Sequence, residues 1–225
     1  MIKDIKLGWG IIKYELNFRL EICACLLMTV LFGIIEYVTH TNTLSRMIVA
    51  LFPMLLVHAI NLTSASTMIQ SSPCKKSMRT TIPALFGTIA MLMVNTYCVI
   101  SYWGFHEWII NKKSAWASYI FEPGEYEMEH IFMSLFIVVF MLCGVLYVKY
   151  YLLAMMIFAV FFVGFTGYIS QGDPPYFMIS EGLAIAISYG IILIGGLLAY
   201  IICLATYKQE YFAPAINNSQ KRAYK

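Results

Sequence analysis

The sequence predicts an all-α, polytopic membrane protein with six transmembrane helices, an N-terminal amphipathic interface helix and a short cytoplasmic coupling helix. Two observations support this fold class. The 225 residues are 60% hydrophobic and only 12% charged, whereas soluble domains average about 25% charged residues. The apolar residues also come in long blocks, each close to the ~20 residues that a helix needs to cross the hydrocarbon core.

Residues 1–225 are interpreted as a single transmembrane domain, with the interface helix at 1–19, the six-helix membrane domain at 20–206 and a cytoplasmic tail at 207–225. The predicted spans are the apolar blocks Leu20–Val38, Met47–Met68, Thr81–Trp103, Ile131–Val148, Tyr151–Ile169 and Gly182–Thr206. Lys149 and Tyr150 separate the fourth block from the fifth, which predicts a tight hairpin or an irregular helix in one of the two blocks. Pro53 and Pro83 predict kinks in the second and third spans.

Positive charge sets the predicted orientation of the spans. With cytoplasmic termini, 12 of the 15 basic residues lie inside, and those predicted outside are Arg46, Lys112 and Lys113. Loops on the cytoplasmic side of a membrane carry an excess of Lys and Arg. Both termini are therefore predicted to be cytoplasmic.

The N-terminal segment has the spacing of an amphipathic helix. Its apolar residues recur three or four positions apart, at Ile2, Ile5, Trp9, Ile12 and Leu16. A basic stripe follows one position later, and it includes Lys3, Lys6 and Lys13. Such a helix lies in the membrane interface with its lysines near the headgroups. The alternative is a simple extension of the first membrane helix.

The loop Gln70–Arg79 combines basic residues with a helix start signal. Ser72 is a candidate N-cap and Pro73 suits the first turn of a helix. Lys75, Lys76 and Arg79 would then lie near one face of a short helix that could dock on a partner. The alternative is a positively charged membrane anchor without a partner.

The stretch Gly164–Gly182 departs from a regular hydropathy pattern. Two prolines, Pro174 and Pro175, break any helix there, and apolar residues stand on both sides of the break. The pattern predicts short half-helices that dip into the outer leaflet. The alternative is an ordinary short loop.

Few polar side chains fall inside the spans. His58, Asn61 and Asn95 are the candidates for a translocation path, because polar residues within a membrane are often functional. The alternative for His58 is a packed, hydrogen-bonded residue. Outside the spans, an acidic loop is interpreted as a solvated face rather than a metal site; its members are Glu122, Glu125, Glu127, Glu129 and His130.

The sequence gives no sign of catalysis or of nucleic-acid binding. It contains no G-x-S-x-G, H-E-x-x-H or ATP-binding G-x-x-x-x-G-K-[ST] motif. Its Lys and Arg residues stand in short clusters beside apolar blocks rather than in a long basic patch. The chain is therefore expected to bind no metal and no cofactor of its own and not to be an enzyme.

In layout, the chain resembles the membrane subunit of a bacterial ABC exporter of the ABC-2 type. The matching stretches are Ile2–Arg19, Gln70–Arg79 and Gly164–Gly182, which correspond to the interface helix, the coupling helix and the re-entrant helices of that family. The run at Ser71–Lys76 is similar to the P-x-x-K coupling loops of small permeases in peptide-toxin and bacteriocin-immunity exporters. The Gly104–Glu129 loop is longer than the family's minimal pattern.

The resemblance implies a multi-pass subunit in the bacterial cytoplasmic membrane that works with a separate ABC ATPase, which would bind ATP and Mg²⁺. A second permease, identical or paralogous, would complete a dimer, and a hydrophobic or amphipathic peptide would be exported. The Met and Phe content, 14 and 15 residues, agrees with an apolar substrate. The alternatives are a non-transporting immunity or assembly factor, a secondary transporter or channel, and an intramembrane enzyme.

Overall fold

A computed structural model describes residues 6, 9–10, 16–39, 44–65, 69, 71, 75–112, 125–169 and 179–210. It describes side chains over residues 6, 9–10, 23–35, 46–65, 69, 71, 75–104, 127–164 and 179–210. Throughout this part of the chain the regular elements are helices. They are α1 Leu16–Thr39, α2 Leu44–Ala50, α3 Phe52–Ser64, α4 Lys75–Arg79, α5 Thr81–Lys112, α6 Glu125–Tyr147, α7 Tyr151–Ile169 and α8 Glu181–Thr206.

Four helical segments of the described residues are long and apolar enough to cross a membrane. They are Arg46–Ser64, Lys75–Gly104, Glu127–Tyr147 and Glu181–Thr206. This confirms the all-helical fold class and indicates a membrane protein. The first and fifth predicted blocks form α1 and α7, whose described apolar parts, Cys23–Ile35 and Tyr151–Gly164, are shorter. The count of six spans stays a prediction.

Helix α6 lies at the centre of the bundle. It packs against α2, α3, α5, α7 and α8, while α8 also packs against α5 and α3 against α5. Side chains at this centre are fully buried, as in Val57, Met91, Ile137, Met141 and Ile192. Helix α1 packs against α2 and α3, and α7 packs against α6.

Glycine lets the helices α3 and α6 approach closely. A Cβ atom added at Gly144 of α6 would lie 2.9 Å from the carbonyl oxygen of Met54 in α3. A Cβ atom added at Gly195 or Gly196 of α8 would meet the side chains of Val138 in α6 and Thr88 in α5. Because lipid tails do not drive apolar helices together, such close contacts are a main source of helix association in membranes.

The predicted hairpin between the fourth and fifth blocks is present. Residues 148–150 connect α6 to α7, and the Tyr150 amide donates to the Leu146 carbonyl at 2.7 Å. The Cys143 thiol also donates to the Ala154 carbonyl of α7 at 3.5 Å. The short connection thus fixes α7 against α6.

The predicted kink at Pro53 coincides with a break within the second span, whereas Pro83 stands in the first turn of its helix. Pro53 stands at the start of α3, just after a turn at Leu51 that separates it from α2. Pro83 is the third residue of α5. In the first turn the missing amide hydrogen of proline costs little, so Pro83 begins a helix instead of kinking one.

Several helix ends differ from the predicted boundaries. Helix α5 continues beyond Trp103 to Lys112, so the predicted Gly104–Glu129 loop is helical at both of its ends. Helix α7 has the bounds of the predicted fifth block and does not break at Gly164, and residues 170–178, with the two prolines, lie outside the described part. Helix α1 begins at Leu16, so residues 16–19 of the predicted interface helix are continuous with the first apolar block, as the alternative interpretation of the N-terminus has it.

Candidate functional site at the basic end of the bundle

The short helix α4 stands at one end of the bundle, directly before α5. Its side chains divide into two sets: Lys75 and Lys76 are exposed, whereas Met78 and Arg79 are buried. Met78 packs among apolar side chains of α3 and α5 such as Ile60 and Ile82. Ser72 and Pro73 lie outside the described residues. A short helix is thus present at Lys75–Arg79, with Arg79 buried and the two lysines exposed. Its role as a coupling helix stays a prediction.

Arg79 joins α4 to the end of the last helix. Its Nη1 atom donates to the Tyr207 carbonyl at 2.8 Å and to the Gln209 carbonyl at 3.3 Å. Carbonyls at a helix C-terminus carry partial negative charge and attract cations. The partial negative charge of these carbonyls explains why the Arg79 side chain is buried, at 5% exposure, rather than exposed to a partner.

Lys149 joins the α6–α7 connection to the same helix end. Its Nζ atom donates to the Thr206 hydroxyl at 3.0 Å, and that hydroxyl donates to the Ile202 carbonyl at 2.8 Å. Burial lowers the pKa of Lys149 to about 8; the nearby Cys203 thiol opposes this shift and Arg79 adds to it. The lysine is therefore held where its charge is poorly solvated.

Tyr207, just after α8, stands between two lysines. The Nζ atoms of Lys76 and Lys208 each lie 5.8 Å from the centroid of its ring, within the range of a cation–π contact. We call residues 75–81, 146–153 and 203–210 the basic end. It brings together five cations from three parts of the chain: Lys75, Lys76, Arg79, Lys149 and Lys208.

His58, Asn61 and Asn95 do not form one polar path. The half-buried His58 ring stacks edge-on against Tyr147, with 5.1 Å between centroids. Asn61 donates to the Gly144 carbonyl at 3.4 Å, so it links α3 to α6. Asn95 donates to the Ser188 hydroxyl at 3.2 Å, which links α5 to α8. Both asparagines are buried and hold pairs of helices together.

The opposite end of the bundle holds a charged cluster that the sequence prediction missed. Arg46, 3% exposed, lies 3.5 Å from a carboxylate oxygen of Glu129. Its guanidinium also stands 4.1 Å from the centroid of Tyr102, which meets the His130 ring edge-on at 5.2 Å. We call these four residues the closed end.

The closed end corrects the interpretation of the acidic loop as a solvated face. Glu129 and His130 belong to α6, His130 is buried and the Glu129 side chain is only 22% exposed. The ion pair could not be predicted from local pattern, because its two partners are 83 positions apart. The available signal was weaker: an arginine at the start of one span and a glutamate at the start of another, both on the predicted outer side.

The described residues contain no group of three His, Cys, Asp or Glu side chains that could hold a metal ion. The expected lack of a metal stays a prediction. Of the predicted interface helix, Lys6 and Trp9 are exposed, only the backbone of Leu16 is described, and Ile5, Ile12 and Lys13 lie outside the described part.

Known proteins give no identification. No protein-family model matches the chain, and no match was found among curated proteins or solved structures.

Proposed function

We propose that the chain is the membrane-spanning permease subunit of an ATP-driven exporter and couples to a separate ATPase subunit. The observation that carries the proposal is that α4 has both exposed lysines and a buried arginine that binds the end of α8. Lys75 and Lys76 are exposed on it, while Arg79 fixes the same helix to the end of α8. This is the arrangement that a coupling helix requires, with one face for a partner and the other face held in the bundle.

The connections of α4 would let it transmit movement. Thr80 alone separates α4 from α5, and the Thr80 hydroxyl donates to the Lys76 carbonyl at 2.8 Å. Arg79 connects α4 to the carbonyls after α8. A force on Lys75 and Lys76 would therefore reach two long apolar helices at once.

For the membrane arrangement, we propose six crossings in a bacterial cytoplasmic membrane, with both termini cytoplasmic. The 24 residues of α1 and the 19 of α7 give lengths of about 36 and 28 Å at ~1.5 Å per residue. The hydrocarbon core is about 30 Å thick. Both helices also expose apolar side chains, including Leu26, Val30, Val160 and Val163, as lipid contact requires.

The substrate we propose is a hydrophobic or amphipathic peptide that passes between two permease subunits, identical or paralogous. Asn61 and Asn95 join helices within one bundle, so we place the path outside the bundle rather than along them. ATP and Mg²⁺ would bind the ATPase partner, and this chain would contribute the membrane domain and the basic end.

A second candidate is a non-transporting membrane protein, such as an immunity or assembly factor. The specific observation in its favour is the tight interior. Interhelical hydrogen bonds from Asn61 and Asn95 and the close backbone contact at Gly144 suit a static bundle. The same bonds weigh against a secondary transporter or channel, because the amides meet helices rather than line a conduit.

Co-purification tests the exporter proposal. The tagged chain is isolated from its native membrane, and associated nucleotide-binding subunits are identified by mass spectrometry and assayed for ATP hydrolysis. We expect the Lys75→Glu/Lys76→Glu variant to lose the ATPase. Its acidic side chains would repel a partner surface that is complementary to positively charged lysines. Lys6→Glu, also on an exposed lysine, serves as the control.

Two results would contradict the proposal. An ATPase that stays bound to the Lys75→Glu/Lys76→Glu variant would rule out coupling through α4. A wild-type chain that is isolated without any nucleotide-binding subunit would favour the non-transporting factor.

A further inference from the structure

The basic end has far more positive than negative charge. Residues 75–81, 146–153 and 203–210 contain five lysine and arginine side chains and one carboxylate, Glu210. At the closed end, by contrast, Arg46 faces Glu129. A surplus of this size at the end of apolar helices attracts anions.

Three of the five cations surround one short segment. Lys149 reaches Thr206, and Lys76 and Lys208 flank the ring of Tyr207. Arg79 has a different task, because its Nη1 atom faces the Tyr207 and Gln209 carbonyls just after α8. Its charge offsets the negative end of the helix dipole, which would otherwise repel an anion from this position.

Apolar side chains lie exposed beside these cations. Leu152 and Leu153, at the start of α7, are 75% and 47% exposed, and Ile201 and Leu204, near the end of α8, are 51% and 36% exposed. Lys149 stands three positions before the first pair along the chain, and its bond to Thr206 brings it to the second. The surface is therefore cationic at its tip and apolar along its sides.

We propose that the basic end binds an anionic phospholipid, with the phosphate held by Lys149, Lys208 and Lys76 and the acyl chains along α7 and α8. The apolar flanks select a lipid over a free phosphate, which would gain nothing from them. Lysines between membrane helices recognise lipid headgroups in this way. The site shares Lys76 with the proposed ATPase contact, whereas Lys149 and Lys208 are not part of α4.

The state of Lys149 agrees with a phosphate ligand. Burial lowers its pKa to about 8, so its charged form is poorly stabilised by its present surroundings. A phosphate beside the ammonium group would stabilise the charged form. Bound lipid would thus stabilise the charged form of Lys149, and that charge would in turn attract the lipid phosphate.

Lipid binding to the full chain tests the proposal. The protein, purified and delipidated in uncharged detergent, is titrated with phosphatidylglycerol or phosphatidylcholine and analysed by native mass spectrometry. We expect tighter binding of phosphatidylglycerol. Lys149→Gln/Lys208→Gln should weaken that binding by about fivefold for each lysine removed, as expected for lysines near an anionic lipid. Lys149→Arg/Lys208→Arg, which keeps both charges, should retain it.

The control Lys75→Gln removes one charge from an exposed position outside the proposed site and should weaken binding less than about twofold. Equal losses in Lys75→Gln and Lys208→Gln would overturn the proposal, because they would indicate diffuse attraction without a site. Equal affinity for the two lipids would overturn it too. So would inorganic phosphate, if it stabilised the protein as much as phosphatidylglycerol does.

Two further results are decisive. If Lys149→Gln prevents folding, the Lys208→Gln variant is compared with Lys208→Arg instead. Equal lipid affinity in these two variants overturns the proposal. If Lys149→Gln/Lys208→Gln loses an ATPase partner but keeps its affinity for phosphatidylglycerol, the surplus charge serves a protein and the lipid assignment is wrong.

Discussion

The two ends of the helix bundle differ in how their charges are balanced. At the closed end, Arg46 is buried and compensated by Glu129 and by the face of the Tyr102 ring. At the basic end, only Arg79 is fully buried, and Lys75, Lys76 and Lys208 are exposed. A balanced, buried pair fixes the positions of helices, whereas a surplus of exposed charge is available to another molecule. We therefore expect the closed end to stabilise the fold, and we propose that the basic end binds another molecule.

The largest effect should come from breaking the closed end. Arg46→Ala leaves the partly buried Glu129 carboxylate without its ion pair and should lower the free energy of unfolding by about 3 kcal/mol. Denaturant unfolding in detergent micelles measures this change. Arg46→Ala/Glu129→Ala, which removes both charges, should regain part of the loss. A single variant as stable as the wild type would show that the pair does not hold the helices.

A smaller effect is expected at the basic end. Arg79→Gln removes the charged donor to the Tyr207 and Gln209 carbonyls, and should cost about 2 kcal/mol in the same unfolding measurement. Lys75→Gln, four positions earlier and exposed, should change stability by less than about 0.5 kcal/mol. Equal effects of the two substitutions would remove the distinction between the buried and exposed cations of α4.

A third effect, due to Lys149, should depend on pH. Its pKa is about 8 in the folded chain against an ordinary value of 10.5. Between these two values the unfolded chain binds more protons than the folded chain, so stability rises as pH increases from about 8 to 10.5. The rise should be smaller in Lys149→Gln, measured as the difference between the two unfolding curves. Parallel curves would mean that Lys149 is not desolvated.

The helices were predictable because local composition determines them. Long apolar blocks between polar segments specify helices in a membrane whatever their neighbours are, and the hairpin at Lys149 followed from the short gap between two blocks. Helix ends were harder to predict. The continuation of α5 to Lys112 passes through a stretch that is polar enough to resemble a loop.

The roles of the charged and polar residues were less predictable, because they depend on which helices meet. The exposed pair Lys75 and Lys76 followed from the sequence. The inward position of Arg79 did not, because it depends on carbonyls 128 and 130 positions away. Asn61 and Asn95 were identified as polar residues of the spans, but their hydrogen bonds across helices are visible only once the bundle is assembled.

The contact between Arg79 and residues 207 and 209 has a practical consequence for work with this protein. The last helix ends at Thr206, yet the carbonyls that accept hydrogen bonds from Arg79 come after it. A truncation or a fusion made directly at the helix end would delete or replace those acceptors and leave a buried guanidinium beside foreign backbone. A fluorescent reporter joined after residue 210 keeps both carbonyls, and it would begin next to α4, close enough to sense what binds there.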